Sequence, residues 1–161
     1  MNRALLAIAL LFSGLLAGAD IDRAVVAMPA WQVVGAAGWA DFSRHADLGN
    51  GLFLYPAEAF GAALLGLAAA IGFHLDRDAP GSVKLLLDAS VVLAAAGLLL
   101  TIEAAPIMLG IRDVTDPAAL ASAFKGFWFW GNLRAICQVL AFVAQLIALA
   151  IWLRREREWD Y

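Results

Sequence analysis

Four stretches of this chain, residues 4–28, 51–74, 84–110 and 126–153, are apolar over lengths that few soluble helices reach. A bilayer core about 30 Å thick is crossed by about 20 helical residues, and each stretch meets that length. Inside hydrocarbon every backbone N–H and C=O must be satisfied within the protein, which leaves only helices and closed barrels. No run alternates apolar and polar residues with period two, so the pattern argues against a barrel. The chain therefore reads as all-α, an integral membrane four-helix bundle forming a single domain. Composition agrees: 16% of the 161 residues are charged, against about a quarter in a soluble domain.

Several functions are excluded early. The net charge of −3 comes with scattered basic residues, not the clustered footprint of a nucleic-acid-binding protein. A single cysteine, Cys137, excludes an intramolecular disulfide and any CxxC redox or zinc motif; it reads as a small buried apolar side chain. A metal would need Glu58, Glu103, Asp20 and His45 to converge from separate segments. No HxxxH or ExxH spacing prepares that, so no metal is expected, and no cofactor is identifiable.

The first stretch carries two readings. Arg3, the run LLAIALLFSGLL and the small triplet Ala17-Gly18-Ala19 before Asp20 have the layout of a cleavable signal peptide. Gly14 and Gly18, however, form a GxxxG spacing suited to close helix packing, and helix-compatible sequence continues to Pro29. The retained helix is the better reading, and such small-residue faces suit self-association. For orientation, cytoplasmic loops carry the excess of Lys and Arg. Arg3, Arg77, Lys84, Arg154, Arg155 and Arg157 fall on one side, and Arg44, Arg112 and Lys125 on the other. Six against three puts both termini in the cytoplasm, with the protein in the inner membrane. The loop His74 to Lys84 is a plain hairpin with a Pro80-Gly81 turn. Residues 30–50, with Trp31, Trp39 and Phe42, read as an interfacial loop able to act as a lid.

Three ionisable residues inside the spans, Glu58, Glu103 and Arg134, fall at one level. At a helical rise of about 1.5 Å per residue, Glu58 and Arg134 lie about 12 Å and Glu103 about 10 Å from the outer helix ends. Asp20 is about 24 Å from the inner face. A charge in hydrocarbon costs at least about 2.5–3.5 kcal/mol, so such groups face the bundle interior and pair. If Arg134 pairs with one glutamate, the other is left as a candidate general acid or base. Gln138 and Gln145 share a helix face with Arg134. Trp130 one turn earlier, Asn132, Tyr55, Asp20 and His45 complete a candidate substrate site, with Glu58, Glu103 and Arg134 as its catalytic set. The inner half of the bundle is nearly free of charge. A purely structural role for the buried charges stands beside this reading.

At these residues the chain resembles the anthrone oxygenase-like family of small four-helix membrane proteins, most of whose members have no assigned activity. The resemblance rests on Ser13-Gly14-Leu15-Leu16-Ala17-Gly18 followed by Pro29, on Pro106-Ile107 ending the third helix, and on Trp130 with Arg134 opening the fourth. Family members often place asparagine after the Pro-Ile pair, where this chain has Met108. The resemblance implies oxidation of an activated aromatic carbon by dioxygen without an obvious metal or flavin. A carboxylate would remove a ring-methylene proton while an arginine steadies the enolate oxygen. Two other roles share these residues: an accessory or assembly subunit without catalysis, and a small proton-coupled transporter.

Overall fold

The computed structural model describes residues 2–159, with side chains through Arg155; Arg157, counted above among the inner basic residues, lies outside the described side chains. The elements are α1 (Asn2–Asp22), α2 (Met28–His45), α3 (Gly51–Leu75), α4 (Gly81–Gly110) and α5 (Pro117–Trp159), with no strand among the described residues. Single π-helical turns, Arg23–Ala27 and Ala46–Asn50, join α1 to α2 and α2 to α3. Three helical stretches are long and apolar enough to cross a membrane: Asn2–Leu75, Gly81–Gly110 and Pro117–Arg155.

The first of these stretches doubles back. Asn2 Nδ2 donates to the Gly72 carbonyl at 3.1 Å, the Phe12 ring lies against Gly61, and the Arg23 guanidinium sits 4.8 Å from the centre of the Tyr55 ring. Numbers fall on α3 as they rise on α1, so the two are antiparallel neighbours. The same test makes α1 antiparallel to α5, through Ser13 with Gln145 and Asp20 with Arg134. It also makes α4 antiparallel to α5, through Gly97 against Gln138 and Ile107 against Gly126. The α1–α3 contact depends on a missing side chain: a Cβ on Gly61 would sit 2.6 Å from the Phe12 ring. Gly14 meets Phe142 in the same way, but nothing lies within 4 Å of a Cβ on Gly18. Only half of the GxxxG pair is therefore used inside the chain.

Two expectations about boundaries need correction. Residues 30–50 are helical rather than a loop. Pro29 has no N–H to donate, and it is accommodated at the first turn of α2, directly after the π-helical turn. α2 is broken once, at Gly35 with φ +85°, a conformation that costs other residues a Cβ clash. The second correction concerns α5, which begins at Pro117 and not at 126. Asp116 Oδ2 accepts the Ala119 N–H at 2.8 Å, an N-cap, and proline at the first helical position gives up nothing.

Along α5 the core changes character from one end to the other. At the end nearer Asn2, Ala148 packs with Leu6, Ala9, Ala69, Phe73 and Leu87 in an apolar cluster. At the opposite end Phe127 and Leu120 pack with Met28, Trp31, Trp39, Met108 and Ile111, so α2 covers the α4–α5 hairpin. Between the two lie the buried polar residues Gln145, Gln138 and Asp20.

Candidate functional site

The polar layer is built mainly from α1, α3 and α5. Arg134 Nη2 donates to Asp20 Oδ1 at 3.2 Å, and Asp20 is 4% exposed. One helical turn further along α5, Gln138 is buried against Gly97, where a Cβ would come within 3.1 Å of its Cγ. Two turns beyond that, the buried Ser13 hydroxyl donates to Gln145 Oε1 at 3.0 Å. Polar contacts thus reach the middle of the bundle, deeper than the distribution of charge alone suggests.

Glu58 on α3 lies within electrostatic reach of Asp20. Its Oε2 is buried and bonded to no protein group, as are Asp20 Oδ2, Arg134 Nε and Gln138 Oε1. Buried polar atoms are almost always partnered, and leaving one unpaired costs about 1–3 kcal/mol. One donor and three acceptors from three helices therefore remain open to a ligand carrying both a hydrogen-bond acceptor and a hydroxyl.

No protein-family model, curated protein or solved structure matches this chain. The site must be read from its own residues.

Placement separates the expected site residues. Asp20, Glu58, Arg134 and Gln138 fall in the polar layer, Asp20 taking the place beside Arg134 that the sequence suggested for a glutamate. Glu103 does not join them: it is exposed on α4 beside the exposed Ile102, and no hydrogen bond or ion pair involves it among the described residues. Residue counting puts it at the depth of Glu58, but its helix face is different. The buried stripe of α4 runs through Gly97, Ala104 and Met108, which turns residue 103 to the flank. Tyr55 is half-buried and packs against Arg23. Trp130 is half-buried and meets Phe129 edge-on, and Asn132 is half-buried. His45 is exposed, its Nδ1 2.8 Å from the Asp41 carbonyl. No three His, Cys, Asp or Glu side chains among the described residues come together as a ligand set.

Sequence reasoning missed the polar contacts made by the cap. Arg23, one turn beyond Asp20, donates through Nη2 to Asp47 Oδ1 at 2.5 Å, with Asp47 buried. Arg44 donates to the carbonyls of Ile111, at 3.1 and 3.2 Å, and Val114, in the turn that follows α4. These contacts strap α2 as a cap over the end of the bundle remote from Asn2. A buried aspartate one π-helical turn from Gly51 carries no short motif, so only the helical reading of 30–50 would have exposed it.

Proposed function

We propose that this chain is an anthrone oxygenase-like membrane protein that crosses the bilayer four times, with α1, α3, α4 and α5 as the crossings. Both ends lie on the cytoplasmic side of the inner membrane. Its outer half binds a planar apolar aromatic of the anthrone or quinone class. The antiparallel packing of α1 on α3 supports the crossing count. The observation that carries the functional reading is the set of open polar atoms around Asp20, Glu58, Arg134 and Gln138.

In this reading Asp20 holds the Arg134 guanidinium, whose free Nε–H faces the substrate carbonyl. Glu58 takes a proton from the activated ring methylene, and the negative charge moves onto that carbonyl oxygen as an enolate steadied by Arg134. The electron-rich carbon adds dioxygen to form a hydroperoxide, which loses water to leave a second carbonyl. The sum is CH2 + O2 → C=O + H2O, so dioxygen is the oxidant and no other co-reactant is consumed. With Glu103 outside the polar layer, Glu58 is the only one of the two glutamates left as base. The test is oxygen uptake by purified protein supplied with an anthrone. Saturable uptake that is lost in Glu58→Gln supports the reading, and uptake equal to a protein-free control refutes it.

Glu103 favours a second reading, an assembly role. A carboxylate exposed among Leu99, Ile102 and Leu109 meets hydrocarbon unless a partner helix brings a donor. A proton-coupled transporter is less well supported, because the inner cluster around Leu6, Phe73 and Ala148 is apolar and close-packed.

A further inference from the structure

The seam between α4 and α5 carries two polar groups that the proposed chemistry does not use. Ile107 on α4 lies against Gly126 on α5, its Cδ1 3.0 Å from where a Cβ would sit. Glu103 is one turn before Ile107 and Trp130 one turn after Gly126, and the two helices run antiparallel. A step of four residues keeps to one helix face, so Glu103 and Trp130 flank the same seam at the same level. Glu103 is exposed and Trp130 half-buried, and neither makes a hydrogen bond or ion pair among the described residues.

The surface around them is apolar. Leu99 and Ile102 are 64% and 65% exposed beside Glu103, and Leu133 and Leu140 are exposed on α5. Trp130, Leu133, Cys137 and Leu140, three and four residues apart, share one face of α5. A carboxyl set in hydrocarbon is costly without a donor, and the indole N–H, which only donates, has no acceptor. An occupant of this face has to bring a donor and an acceptor at one depth, between apolar flanks. A second copy of the chain brings both. Copies inserted in the same direction are related by rotation about the bilayer normal, which leaves depth unchanged, and two-fold pairing is the commonest arrangement. A two-fold axis along the seam sets each Glu103 at the level of the partner's Trp130.

We propose that two copies pack seam to seam, α4 of each along α5 of the other, with each Glu103 carboxyl accepting the indole N–H of the partner's Trp130. Hydrogen bonds of this kind hold membrane helices together where lipid gives no hydrophobic drive for association. Cys137, the only cysteine in the chain, falls within the same contact. The inference rests on the four-crossing topology and names the partner in the assembly reading; it does not depend on the oxidation.

The test uses the full chain diluted in liposomes. Association is read by energy transfer between chains carrying donor and acceptor tags, and the contact by a short bismaleimide acting on the native Cys137. Wild type should dimerise and be linked through Cys137. Glu103→Leu and Trp130→Phe should each raise the dissociation constant about tenfold, the size of two interhelical hydrogen bonds. Glu103→Gln, whose amide oxygen still accepts, should stay within about threefold of wild type. A monomeric wild type overturns the proposal, and if that monomer copurifies with a different chain, an assembly role stands without self-association. Dimers that Glu103→Leu and Trp130→Phe leave unchanged, or that bismaleimide does not link, also overturn it, because the contact then lies on another face. Loss of oxygen uptake in Glu58→Gln, or its absence in wild type, bears only on the proposed reaction.

Discussion

Replacing Arg134 with leucine should be among the most damaging single changes in this chain, and the damage should be reversible by a second change. Asp20 is 4% exposed and the Arg134 side chain 17%, so solvent does little to screen either charge. Removing one partner of a buried pair costs about 3–5 kcal/mol because the other charge is left uncompensated, whereas replacing both with apolar side chains is often neutral. Arg134→Leu and Asp20→Leu are each expected to cost about 3–5 kcal/mol, and the double variant to return to within about 2 kcal/mol of wild type. The coupling then amounts to several kcal/mol, far above the few tenths by which independent sites depart from additivity. The assay is equilibrium unfolding in mixed micelles at fixed detergent composition, followed by tryptophan fluorescence. If the two single costs simply add in the double variant, the residues do not interact and the polar layer is not organised around this pair.

Further consequences can be checked with ordinary variants. Gly61→Ala should lower stability by about 1–3 kcal/mol, as overpacking does, because the new Cβ would meet the Phe12 ring at 2.6 Å. Gly18→Ala, which meets nothing within 4 Å, should be neutral or gain up to about 1 kcal/mol of helix propensity; thermal unfolding of the pair reads both signs. In a Cys137→Ser background, cysteines placed at Asp78 and Asp113 should be labelled by an impermeant thiol reagent from opposite sides of the membrane, with Asp78 reacting only in inverted vesicles. Labelling of both from the same side would refute the four-crossing topology.

The helical class was legible because it follows from residue counting. Apolar length forces helices in hydrocarbon. Which face a residue occupies was less legible. Residue counting puts Glu103 at the level of Glu58, but a helix so uniformly apolar gives no contrast from which to read its buried stripe. That stripe is set by where Gly97 and Ala104 let α5 approach. The start of α5 was written in the sequence as Asp116-Pro117, an N-cap followed by a proline, and was obscured because the polar first turns fall outside the apolar run. The cap itself was hidden by composition: the Gly- and Ala-rich stretch around Trp31 and Trp39 resembles a loop until Pro29 is seen as a helix start. Long-range pairs such as Arg23 with Asp47 and Ser13 with Gln145 depend on chain folding and leave no local signature.

Native mass spectrometry of the protein released from its own membranes addresses the ligand site most directly, comparing wild type with Glu58→Gln and with the Asp20→Leu, Arg134→Leu double variant. Wild type should carry a planar aromatic or quinone at close to one molecule per chain. The adduct should be reduced in Glu58→Gln and lost in the double variant, which keeps the fold while removing the charged pair. Wild type emerging without an adduct, or with one of equal occupancy in all three proteins, would contradict a binding site at the polar layer.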